Sequence, residues 1–126
     1  MATKLHEVYK CPVCGNIVEV LHPAAGELVC RGAPMVRLAA NTVDASLEKH
    51  VPVAETAGDD LLVKVGSAPH PMIPEHFIEW IEVIDGSHVE RHYLQPGDAP
   101  QAVFARVARP GVTCRAYCNL HGLWKN

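Results

Sequence analysis

No apolar run in this chain approaches the length of a membrane span, and only 20% of its 126 residues are charged. Those are ordinary proportions for a globular domain, and they predict a soluble protein without a membrane partner. The chain also lacks a basic stripe. Its 11 Lys and Arg stand against 14 Asp and Glu, for a net charge of −3, which argues against a phosphate-binding surface and predicts no nucleic-acid partner. Residues Met1 to Lys10 contain charges and a histidine but no apolar stretch or small-residue cleavage pattern, so no secretory signal is expected and the cytoplasm is the default compartment. The even cysteine count of a disulfide framework is missing too. Five cysteines, clustered as Cys11-x-x-Cys14, Cys30 and Cys114-x-x-x-Cys118, suit metal ligation or free thiols in a reducing compartment. What the chain has in excess is histidine, eight in all.

The length leaves room for one compact domain, or for one domain plus a small appended module. Tyr9 to Pro34 hold three of the cysteines, two short strand-like runs (Ile17 to Leu21, Glu27 to Cys30) and turn residues at Pro23, Gly26 and Gly32, which reads as a small knuckle. About 35 residues bury too little surface to fold unaided, so such a module needs a metal, a partner subunit or a neighbouring domain. Val36 to Ser46 reads as a connector. Beyond it the pattern predicts strand after strand: Val51 to Glu55, Leu61 to Val65, Phe77 to Ile84, Val89 to Leu94, Ala102 to Val107 and Thr113 to Tyr117. No helix is expected between them. Asp85-Gly86 marks a hairpin, because a tight turn needs the positive φ that glycine adopts freely. Strands at this spacing predict an all-β fold, an antiparallel sandwich, with the proline-bounded loops Ala68 to Pro74 and Gln95 to Pro100 at its ends.

The residues able to do chemistry fall at strand ends and in loops. Cys118 and His121 are three apart before Gly122, His70 and His76 flank a proline-rich loop, and His50 precedes the first strand of the larger domain. Imidazole and thiolate together suit iron, copper or zinc, whereas magnesium or calcium would want oxygen. His88 and His92 share a strand face with Glu90 and read as solvent-facing. Met72 and Cys114 read as packing residues.

Five segments then stand out: Glu48-Lys49-His50-Val51-Pro52-Val53, Val65 to Met72, Pro74 to Trp80, Pro96 to Pro100, and Tyr117-Cys118-Asn119-Leu120-His121-Gly122-Leu123-Trp124. Through them the chain resembles the superoxide reductases of the desulfoferrodoxin and neelaredoxin type, nearly end to end. The resemblance implies an immunoglobulin-like antiparallel β-sandwich over residues 38–126 and a rubredoxin- or desulforedoxin-like module over residues 1–37. It implies one catalytic iron per chain, cycling between Fe(2+) and Fe(3+), with His50, His70, His76 and His121 as equatorial ligands and Cys118 as axial thiolate. Glu48 and Lys49 would lie over the open sixth position. Lys49 would attract the superoxide anion, and Glu48 would ligate the ferric iron after peroxide leaves. Rubredoxin or a similar protein is the implied electron donor and a homodimer the implied assembly.

One position departs from the pattern. Two-iron members hold a tetrathiolate iron through a Cys-x-x-Cys pair and a later adjacent Cys-Cys pair. Here Cys11, Cys14 and Cys30 are present, but Arg31 stands where the fourth cysteine belongs, so the second metal is in doubt. Water or His22 could complete a three-thiolate site for zinc or iron; otherwise the module is vestigial and its cysteines are packing residues or free thiols. Two rival functions remain: a blue-copper-like electron carrier, and a structural zinc-knuckle protein. The first wants a methionine soon after the last histidine, and only Gly122, Leu123, Trp124, Lys125 and Asn126 follow His121. The second predicts that the four histidines are dispersed.

Overall fold

The computed structural model describes residues 2–42, 50–105, 107, 109 and 111–126. Every regular element among them is a strand. The chain divides into two compact units, Met1–Ala39 and Ala40–Asn126.

In the first unit, β1 (Val8–Lys10) is flanked by β2 (Ile17–Glu19) and β5 (Val36–Leu38), while β3 (Val29–Cys30) pairs with β4 (Ala33–Pro34) in a separate ribbon. Val36–Leu38 was expected to be connector. It is instead a strand, because Val36, Arg37 and Leu38 pair antiparallel with Lys10, Tyr9 and Val8, a partner too distant in sequence for local pattern to reveal. Two central residues, Arg31 and Gly32, close the β3–β4 ribbon with φ of 52° and 75°, the positive values of a type I′ turn. Among the described residues of this unit, the buried apolar ones are few: Val8, Cys11 and Val20.

The second unit is a sandwich. One sheet has the order β10-β7-β6, built from β6 (Pro52–Ala57), β7 (Asp60–Val65) and β10 (Gln101–Phe104); the other has the order β12-β11-β8-β9, built from β8 (Ile78–Asp85), β9 (His88–Tyr93), β11 (Thr113–Cys118) and β12 (Gly122–Lys125). All these strand pairs are antiparallel. Alternation along β7 sends Leu61, Val63 and Val65 inward, where they meet Phe104, Ile81, Val83, Cys114 and Ala116 from both sheets. Each fully buried Val, Ile or Phe side chain contributes about 1.5–3 kcal/mol to folding. The strand predicted over Ala102 to Val107 stops at Phe104, with Ala105 in a turn. Gly86 turns β8 into β9 with φ of 59°, as the hairpin signal required.

Two features of the second sheet were not expected. Between Tyr117 and Cys118 the register slips, so that Cys118 lies opposite Ile78 while Tyr117 lies opposite Trp80. This bulge changes the parity of β8 and brings Ile78 into the core with Ile81 and Val83. On the opposite face of the sheet, the fully buried Glu82 accepts hydrogen bonds from Arg115, whose Nε is 2.6 Å away, and from Arg91. His92 also departs from its solvent-facing assignment. It sits opposite Ile81 on the inward face of the edge strand and stacks on Phe104 at 4.4 Å, while Glu90 accepts from His92 at 2.9 Å and lies 3.5 Å from His88.

Candidate metal centre

Four loops and strand ends of the second unit deliver the ligand-bearing residues. His50 precedes β6. His70 follows the turn at residues 66–69 that leaves β7, where the Gly66 N–H donates to Val51 O at 2.9 Å. His76 closes a miniature hairpin: Ile73 and His76 exchange two backbone hydrogen bonds of 3.1 and 3.0 Å around Pro74-Glu75, and proline at the first central position of such a turn presets the needed φ. Cys118 ends β11, and His121 lies in the turn before β12, which Gly122 enters with φ of 86°.

These five residues converge. Each offers one ligand atom, and the five atoms lie within 4.8 Å of one another. The imidazoles form a ring: centroid distances are 4.9 Å for His50–His70, 4.7 Å for His70–His76, 4.9 Å for His76–His121 and 4.7 Å for His121–His50, with interplanar angles of 71° to 83°. The His50–His76 diagonal is 6.5 Å, close to what a square of that side requires. His50 Nε2 and His121 Nδ1 approach to 3.0 Å; metal–nitrogen bonds near 2.1 Å would hold adjacent nitrogens about 3.0 Å apart. Cys118 and His70 are buried and His121 is exposed, so the cluster is closed on its thiol side and open toward solvent at His121.

The electrostatics suit a metal. Burial, the largest cause, holds the His70 imidazole down to about 4, against an ordinary 6.5, so it is neutral at physiological pH and can ligate. Its Nδ1 donates to Pro71 O at 2.7 Å, which fixes the tautomer and leaves Nε2, buried and without a hydrogen-bond partner, aimed at the cluster. Burial also raises the Cys118 thiol, opposed by the N–H groups of Leu120 and His121; a cation is what would hold it as thiolate.

Two supporting residues escaped the sequence reading although both lie in a motif it quoted. Trp124 stacks on His50 at 4.7 Å and 19°, and its Nε1 donates to His121 O at 3.1 Å. Asn119 bridges two ligand loops: its Oδ1 accepts from Phe77 N at 3.0 Å and its Nδ2 donates to Glu75 O at 3.1 Å. Neither role has a local signature, since each partner is remote in sequence. Met72 packs against the core, its Sδ accepting from Ile78 N at 3.4 Å, and Cys114 is buried there. Glu48 and Lys49 lie outside the described residues.

Similarity to known proteins agrees with this geometry. The desulfoferrodoxin family model matches residues 42–126, and the model for the desulfoferrodoxin N-terminal domain matches residues 3–38. The chain belongs to the desulfoferrodoxin family. A desulfoferrodoxin from Syntrophotalea carbinolica is 59% identical over 100% of this chain and 98% of its own length. A superoxide reductase from Pyrococcus horikoshii is 37% identical over 63% of this chain and 84% of its own. Among solved structures, the superoxide reductase from Treponema pallidum is 30% identical, covers 95% of each chain and superposes with a TM-score of 0.75. The gathered histidines depart from what the zinc-knuckle rival predicts, and the family membership disfavours both rivals. The set of four imidazoles and one thiol suits the iron of this family.

In the first unit Cys11, Cys14 and Cys30 form a second cluster within 4.8 Å. His22 is not part of it; it lines a separate hollow with Thr3 and Val20. His22 therefore does not complete the three-cysteine site.

Proposed function

We propose that this chain reduces superoxide to hydrogen peroxide at one non-haem iron held by His50, His70, His76, His121 and Cys118. The observation that carries the reading is the square of four imidazoles beside a buried thiol, with one side open to solvent. The net reaction takes one superoxide, one electron and two protons to one hydrogen peroxide. When bound, the iron supplies the electron by passing from its ferrous to its ferric state.

The side chains set the conditions for that transfer. Four neutral imidazoles and a single thiolate leave a divalent ion with net positive charge, which attracts a small anion. The Pro71 carbonyl, Trp124 and Asn119 hold the imidazoles and their loops in place, so little rearrangement accompanies a change of oxidation state. Lys49 draws superoxide toward an otherwise acidic protein. Glu48 would offer a carboxylate to the oxidised ion. A rubredoxin or similar protein returns the electron, the chain acts in the cytoplasm, and it assembles as a homodimer.

Product stoichiometry tests the reaction. The reduced, iron-loaded chain exposed to a measured pulse of superoxide should yield one peroxide per superoxide and no dioxygen. A yield of one half, with dioxygen, would mean dismutation and overturn the reductase reading.

A further inference from the structure

The three cysteines of the first unit do not fit the tetrathiolate iron of two-iron relatives. Four sulfurs are needed there, and among the described residues only Cys11, Cys14 and Cys30 form the group. Arg31 cannot take the fourth place, because guanidinium remains protonated and has no lone pair to donate.

We propose that Cys11, Cys14 and Cys30 bind a zinc ion through three thiolates, with the fourth position left to water or an exchangeable small anion. The sulfur spacing suits a tetrahedral ion. Cys14 Sγ and Cys30 Sγ are 3.6 Å apart, near the edge of about 3.8 Å that a tetrahedron with metal–sulfur bonds of 2.3 Å has. The Cys11 sulfur accepts N–H groups from Val13 and Cys14, both at 3.4 Å, an arrangement that favours a sulfur carrying negative charge. The site can also admit an external ligand. Cys14 is exposed, and Cys11 and Cys14 line an open hollow with Val13, Val36 and Leu38.

Zinc is favoured over iron on two grounds. It has no ligand-field demand for a fourth sulfur and accepts water beside three protein ligands. Divalent zinc also binds a given nitrogen or sulfur site more tightly than ferrous iron. A folding role follows from the size of the unit. With buried apolar residues as few as Val8, Cys11 and Val20, a unit of this length needs a staple, and metal binding to a site absent from the unfolded chain adds directly to folding free energy. The ion would therefore support the fold of the unit while keeping one exchangeable position, and it would not relay electrons, because zinc has no redox chemistry.

The test uses the full chain with its catalytic iron already loaded and oxidised to the ferric state, so that divalent metals compete only for the cysteine site, then given equimolar zinc and ferrous iron and freed of loose metal. The expected result is about one zinc per chain in addition to the catalytic iron, with three sulfurs and one light atom around zinc by X-ray absorption. Substituting Cys14→Ser should remove the zinc and leave the iron content and superoxide reduction unchanged. No bound zinc, a shell with fewer than three sulfurs, or iron in the cysteine site would each overturn the proposal. The coordination shell is read on the unaltered chain, so the test survives a Cys14→Ser unit that does not fold. A chain that binds zinc this way but yields no peroxide would sink the reductase reading alone.

Discussion

Asn119 joins two of the loops that carry the proposed iron ligands, and its removal measures what that joining contributes. Its side chain accepts the Phe77 N–H at 3.0 Å and donates to Glu75 O at 3.1 Å, on either side of His76 and one residue from Cys118. Asn119→Ala deletes both bonds and strands a half-buried N–H. Each bond is worth about 0.5–1.5 kcal/mol net, and a stranded buried donor costs about 1–3 kcal/mol, so the iron-free chain should lose roughly 2–3 kcal/mol of stability. Iron affinity should fall about 10- to 100-fold, the usual effect of losing an outer partner of a ligand. Asn119→Asp retains the acceptor for Phe77 while losing the donor to Glu75, and should fall between alanine and parent. Denaturant midpoints of the iron-free chain give the first quantity and competition with a ferrous chelator gives the second. If Asn119→Ala lowered stability but held iron as tightly as the parent, the bridge would be a packing device and the argument would fail.

Four further outcomes are expected. Cys118→Ser should leave a folded sandwich that no longer reduces superoxide, because the thiolate ligand is gone; native activity and an unchanged visible spectrum would remove Cys118 from the ligand set. Lys49→Ala should slow association with superoxide and weaken its dependence on ionic strength at unchanged iron content, a loss within the range of about 10- to 1,000-fold ascribed to steering; equal rates at low salt would refute the role. Arg31→Cys should supply the missing sulfur, so that the chain loaded with iron in the absence of zinc gains a second iron and the red colour of a rubredoxin-like centre, and a parent that is already red would contradict the premise. Because burial holds the folded-state pKa of His70 at about 4, below an ordinary 6.5, its contribution to the stability of the iron-free chain is fully present above 6.5 and is lost as pH falls through 4. The loss has a ceiling of about 3 kcal/mol, and a pH profile unchanged by His70→Gln would rule it out.

Periodicity was a good guide where one sheet face is buried and a poor one where pairing alone makes the strand. The alternation in Leu61 to Val65 and the turn at Asp85-Gly86 were legible because both are local. Val36–Leu38 was not, since its partner is β1, and Gly122–Lys125 was not, since four residues carry little pattern and this strand is completed by pairing with β11. At the metal centre the five candidate ligands were legible through motif resemblance, whereas Asn119 and Trp124 act through partners that only the folded chain brings near. His92 was misread because strand alternation says which residues share a face but not which face looks inward.

The ring of imidazoles also dictates when in the life of the chain it can exist. His50 and His121 meet at 3.0 Å across 71 residues of sequence, so closing that loop costs chain entropy that only a formed core can offset. Before then a nascent chain presents no more than short-range fragments, His70 with His76 or Cys118 with His121, each too sparse to hold iron firmly. The complete ligand set therefore forms last. A chain in which His50 and His121 have not met would lack the full set of five ligand atoms, so occupancy of the site reports whether two segments remote in sequence have come together.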